Sequence, residues 1–465
     1  MILNGCIANE AGQRTISARA VAVADEPLAV EIGRQIMADG GNAADAAVAM
    51  GLALGVTLPS RAGLAAPGAC IIHDPDLAEI RILDFASPAV EAGSRPLGEP
   101  LALRGLRTLH AAYGSARWAT VVAPAERLAR LGHTVSRTFA ADLRAIEAIV
   151  PPTSSIAASF GRPTGGLARE GDKLVQPALA DTLGLVRERG AGALTTPTFA
   201  QVYPVMSDNS LPVWQVPIEV SVGSDTLAVA PMPATGGLAQ SRTLEAVISE
   251  RRFGNADQKV RAVAIAQAMQ DAFVREAGNG NGETALGTSF ATLSGEDFAI
   301  ACGMSLGGLF GSFQEVGTLG FYQALGVPEG SQVLAGLTVW YNKPKSKVLA
   351  IGGGSDFFSA ATAPLLEAAF STSPLRQTVA APRLGWEPRG RNLIVERAYG
   401  QETQSALGEA GYPLRNAERL GRAAYIVCDW DRQSADKFCA GLSDPRGSGS
   451  SSSVEQLITR LRPAS

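Results

Sequence analysis

The stretch Gly40-Gly41-Asn42-Ala43-Ala44-Asp45-Ala46-Ala47-Val48-Ala49 sets the reading of the rest of the chain. A glycine pair stops one helix, and Asn42 is placed to cap the next. Upstream, Leu28, Val30, Ile32 and Ile36 recur at helical spacing. They predict a helix over 27–38, with Asp25 and Glu26 at its positive end. Downstream, 43–55 reads as a buried helix of small residues that allows close packing. It is too short to span a bilayer.

Further out, Ile71, Ile72, Ile80 and Ile82 mark two strands joined at Asp74-Pro75-Asp76. Residues 104–149 read as helix broken at Gly114 and Gly132, 154–171 as a Ser/Gly/Pro loop, and 177–190 as helix. Residues 213–230 are strand-like. A loop at 231–237 opens a helix over 238–250, and another covers 260–276. Asn279-Gly280-Asn281-Gly282 reads as a flexible loop. Strands follow at 288–293, 298–304, 333–341, 347–351, 393–397 and 423–428. A helix is expected over 358–370, and the Ser/Gly run 448–453 reads as a mobile loop. Helices, then strands, then helices imply helical layers outside sheets, an α/β (α+β) class.

The chain has 465 residues, 46% apolar and 18% charged, with a net charge of −4. This is an ordinary globular composition, with no electrostatic reason to expect nucleic acid or an anionic membrane as partner. Cys6, Cys70, Cys302, Cys428 and Cys439 form no CxxC pair, and Cys70, Cys302 and Cys428 sit in apolar runs as buried thiols. With no secretory pattern at residues 1–6, they point to a reducing, cytoplasmic setting. His73, His110 and His133 are isolated, as surface or packing residues, so neither a metal site nor another cofactor is implied.

GGNAADAAVA, with Leu28-Ala29 before it and Leu58-Pro59 after, resembles the opening of the gamma-glutamyltranspeptidases. The resemblance continues in order through Leu83-Asp84-Phe85, Leu109-His110, Pro124-Ala125, Gln176-Pro177, Gly236-Gly237, Ala381-Pro382-Arg383 and Ser443-Asp444-Pro445-Arg446. It implies an Ntn-hydrolase-like αββα four-layer sandwich forming a single unit, with 1–287 and 288–465 as the large- and small-subunit-like halves. It also implies self-cleavage that frees a threonine, whose hydroxyl attacks and whose amine is the base. The substrate would be a γ-glutamyl amide.

Laid on the family pattern without gaps, the nucleophile position falls on Gly287, which has no attacking group. With one residue missing, Thr288 takes the role, at the cost of a register shift that turns a strand's side chains over. As a third reading, Thr288 is an ordinary strand threonine. Ser305 matches the family's second hydroxyl, and Gly353-Gly354 the backbone donors of the oxyanion hole; such glycines are also plain structural punctuation.

The groups for the glutamyl head are missing. Ala86 stands where the family has the carboxylate-binding arginine, with Arg81 nearby in sequence. Leu319–Leu325 holds no acid for the amine, and Ala335-Gly336 replaces Ser-Ser. Phe321, Tyr322 and Leu337 are then expected to line a more apolar pocket. Two readings follow. One is a non-catalytic scaffold or the partner of an active paralogue. The other is a self-cleaving amidohydrolase that uses Thr288 on a different small-molecule or peptide amide. An ordinary glutathione-processing enzyme ranks below both.

Overall fold

The computed structural model describes residues 14–85, 100–201, 211–222, 225–231, 237–249, 257–276, 286–295, 297–325, 336–342, 347–353, 365, 375–386, 392–430 and 437–460. Ala86, Ala335, Gly354, the 279–282 loop and nearly all of the expected 358–370 helix lie outside them.

Two large sheets form the centre. The first runs in spatial order Ser450–Arg460, Arg14–Ala24, Gly287–Ser294, Phe298–Ser305, Gly68–Asp74, Glu79–Asp84, Val213–Gln215. The second runs Lys437–Ser443, Ala423–Trp430, Lys347–Gly353, Thr338–Asn342, Asp225–Val229, Ile218–Val222. Strands from both halves of the chain enter both sheets.

Alternation along the strands sorts side chains into layers. Val21, Val23, Ile71, Ala291, Leu293 and Ala301 meet Leu337, Val339, Ala350 and Ile426 in a core between the sheets. The other face of the first sheet, with Ala22, Ile72, Phe290, Ile300 and Met304, packs on the helices of the first half. The second sheet's outer face, with Leu227, Trp340, Ile351 and Tyr425, packs on the helices Gly237–Ser249 and Gln258–Glu276. The order is helix, sheet, sheet, helix, as the resemblance implied.

The opening motif folds as its residues dictate. Pro27–Ala38 and Ala43–Thr57 are helices. The Asn42 side chain accepts from the Ala44 and Asp45 amides, and Asp45 accepts from the Asn42 amide. All fifteen residues of the second helix are buried. Gly51 sits where a Cβ would come within 3.0 Å of Leu106. Asp45 also accepts from the backbone and hydroxyl of Ser115 and the amide of Ala116, anchoring the next helical segment.

Three expectations are corrected. The 448–453 run is largely strand: Ser450–Ser453 pair with Ala24–Val21, and Ser451 lies so close to Gly441 that only small residues fit. An available edge supplied the backbone partners that composition alone does not show. Ser154 caps a short helix, Ser155–Phe160, inside the expected loop. The buried thiols are paired: Cys70–Cys302 and Cys428–Cys439 are disulfides between directly opposite residues of adjacent strands. The pairing is invisible in sequence because it depends on strand register. Under denaturing, non-reducing conditions, one thiol per chain, Cys6, should therefore react with maleimide, rising to five after reduction. Three or more reactive thiols before reduction would contradict the pairing.

Candidate active site

Gly287–Ser294 and Phe298–Ser305 form an antiparallel hairpin in which Gly287 faces Ser305 and Thr288 faces Met304. Directly opposite residues share a face. Ala291, Leu293 and Ala301 point between the sheets, so Gly287 and Ser305 belong to that face. Phe290 and Met304 point to the helices, and Thr288 goes with them. Thr288 and Ser305, expected to act together, lie on opposite faces. The Ser305 hydroxyl donates to the Leu286 carbonyl at 2.8 Å and accepts from the Gly307 amide.

The one-residue slip needed to make Thr288 the counterpart of the family's nucleophile is therefore not absorbed in this hairpin. The residue across from Ser305 is glycine. Thr288 is fully buried, and its Oγ1 donates to Asp25 Oδ2 at 3.2 Å.

Around this strand start lies a set of buried charges that sequence reading did not single out. Arg61 Nη1 donates to the Gly287 carbonyl at 3.3 Å, while its Nε and Nη2 hold both oxygens of Asp142 at 2.6 Å. Ser60 adds a third bond to Asp142. Burial works against the Arg61 charge, but Asp142 outweighs it and holds the guanidinium above its ordinary pKa. Glu26, beside Asp25, is pushed up to about 7 by burial, against bonds from Ser136 and the Leu28 amide. Arg422 is drawn down by burial and then by the like charge of Arg61, against Asp25, Asp142 and Asp444. The available signal was Ser60-Arg61 inside an apolar stretch: a buried arginine demands a carboxylate. Asp25, assigned to the helix dipole, instead serves Thr288.

The remaining expected residues are scattered. Gly353 ends its strand opposite Ala423 in the second sheet. Phe321 and Tyr322 do not line a pocket with Leu337. Tyr322 packs on Phe310 and Phe160 at ring distances of 5.0 and 6.1 Å, on the helical side of the first sheet. Leu337 is in the core between the sheets. Apolar character predicted their burial but not which layer takes each. Gly336 has φ +94°, a conformation costly for serine. The guanidinium of Arg81, near Ala86 in sequence, sits 4.3 Å over the Trp214 ring. The three histidines are buried; His73 bonds the Asp297 carbonyl, and His110 meets the Ala116 carbonyl. Among the described residues, Asp297, Cys428 and Cys439 form a group close enough to hold a metal, with both sulfurs in a disulfide.

Comparison with known proteins agrees with this architecture. A cephalosporin acylase from Bacillus halodurans superposes with a TM-score of 0.74, covering 97% of this chain and 99% of that one at 19% identity. The chain thus has the Ntn-hydrolase fold. Residues 29–202 match the gamma-glutamyltranspeptidase family model. Glutathione hydrolase proenzymes of Bacillus subtilis (strain 168) and Escherichia coli (strain K12) are 27% and 29% identical over 246 and 196 residues. These matches cover 46% and 38% of this chain, but only 41% and 34% of the relatives. Over residues 29–202 the protein is similar to the gamma-glutamyltranspeptidase family, from which its sequence diverges widely. Among its described residues no helix is long and apolar enough to cross a membrane.

Proposed function

We propose that this chain keeps the family fold with a degenerate γ-glutamyl site and is not an ordinary glutathione hydrolase. It serves as a non-catalytic scaffold or as the partner of an active paralogue. The observation that carries this reading is the pairing of Gly287 with Ser305: the inward-facing position at the strand start has no side chain. The missing groups for the two ionic ends of a glutamyl head support it.

A second reading rests on a specific arrangement. The Gly287–Thr288 bond lies between a guanidinium on its carbonyl and a carboxylate on the adjacent hydroxyl. Arg61 is placed to stabilise negative charge developing on the Gly287 oxygen. Asp25 is placed to take the Thr288 proton as that oxygen attacks. In this reading the protein is a self-cleaving amidohydrolase acting on a non-glutamyl amide.

The paired cysteines remove the argument for a cytoplasmic setting that rested on free thiols, and they support folding under oxidising conditions.

Intact mass of the reduced protein after long incubation separates the readings. One species at 48.1 kDa is expected. Two fragments, the second starting at Thr288, would favour the amidohydrolase. Robust turnover of a γ-glutamyl anilide would overturn both readings.

A further inference from the structure

The hairpin of Gly287–Ser294 and Phe298–Ser305 turns back at the far end of the sandwich from Gly287. Asp297 lies in that turn, and the Cys428–Cys439 pair of the second sheet lies against it. One carboxylate oxygen and the two sulfurs are all within 4.8 Å of one another. The strands Ala423–Trp430 and Lys437–Ser443 carry both sulfurs into the layer between the sheets.

The turn holds Asp297 in place. Its carbonyl accepts from His73 Nδ1 at 2.7 Å, and its backbone has φ +76°, a region that aspartate tolerates better than most side chains. The carboxylate is thereby set beside the sulfurs. A disulfide offers a carboxylate no donor, whereas two thiols do, and a cation bound by two thiolates takes it as a further ligand. Asp297 and Cys439 keep 7% and 8% exposure, and Cys439 stands on an edge strand, so reductant and ion reach the cluster from this rim.

We propose that reduction of the Cys428–Cys439 pair creates a binding site for a zinc-class divalent cation, with both sulfurs and Asp297 as ligands. An external dithiol supplies two electrons and two protons. The S–S bond breaks, both sulfurs become thiols, and the dithiol closes to its own disulfide. The cation then displaces the two thiol protons to water. Bonds of about 2.3 Å to sulfur and about 2.1 Å to oxygen set a tetrahedral ion's donors roughly 3.6 Å apart, inside the 4.8 Å span of this cluster. Two thiolates favour zinc over magnesium or calcium. The bound ion would tie the first sheet's turn to the second sheet's edge. The site is independent of whether the chain is cut at Gly287–Thr288.

Cobalt(II) and zinc are the probes, with a water-soluble phosphine as reductant because it does not compete for the metal. The reduced full-length chain should take up one cobalt with a thiolate-to-metal charge-transfer band, and zinc should displace it. The unreduced chain should give no band. Zinc should raise the Tm of the reduced chain and not of the unreduced one. Cys428→Ser should lose the band. Asp297→Asn should keep the band and weaken cobalt binding at least tenfold, and it keeps the test usable if Cys428→Ser does not fold.

A reduced wild-type chain without the band, or a band of equal strength before reduction, would overturn the assignment. So would an unchanged band in Cys428→Ser, which would place the ion on Cys6, Cys70 or Cys302. Undiminished cobalt affinity in Asp297→Asn, or a chain that unfolds on reduction and is not recovered by zinc, would overturn it as well.

Discussion

Asp142→Asn should lower the unfolding free energy by about 3–5 kcal/mol, since it leaves Arg61 charged and buried without its partner. Arg61 and Asp142 are 5% and 4% exposed, and three hydrogen bonds converge on the Asp142 carboxylate, two from Arg61 and one from Ser60. The loss should appear as a lower urea midpoint with an unchanged slope. The pair spans Leu58–Pro67 and the helix Arg137–Ile146, so the damage is to the joint between them. Replacing both residues together, Arg61→Met with Asp142→Leu, should recover most of the loss. A single substitution costing under about 1 kcal/mol would mean that water reaches this pair freely.

Glu26→Gln should stabilise the protein by up to about 3 kcal/mol at pH 8, with no effect at pH 4. Glu26 is 1% exposed, and burial pushes its carboxyl from 4.5 to about 7. Below pH about 4.5 folded and unfolded chains both hold the proton. Between about 4.5 and 7 only the folded chain holds it, so stability falls as pH rises. Above about 7 the folded chain carries a buried charge and the contribution is gone. Glutamine has nothing to lose over that range. Parallel stability–pH curves for the two proteins would show that Glu26 is hydrated.

The elements were legible in sequence where a local cause sets them. The helix Pro27–Ala38 follows from its apolar spacing, and the start of Ala43–Thr57 from Asn42. The hairpin 287–305 follows from β-forming residues on either side of Gly295. Elements fixed by distant partners were not legible. The Ser/Gly run becomes a strand only because Arg14–Ala24 offers it an edge. The cysteines pair only because register sets them opposite one another.

The candidate site divides the same way. Sequence left Gly287 and Thr288 as rival positions, and only the register against Ser305 shows which of them faces between the sheets. Asp25, Arg61, Asp142 and Arg422 come from four separated segments. No spacing rule unites them, although an arginine in an apolar stretch was a fair signal for one.

The Cys70–Cys302 bridge joins a residue before Gly287 to one after Thr288. Were the backbone opened at that peptide, the products would remain a single covalent molecule, heavier than the precursor by one water and indistinguishable from it in size without reductant. Such a staple would let a processed chain unfold and refold with its two pieces still matched, which two independent subunits cannot do.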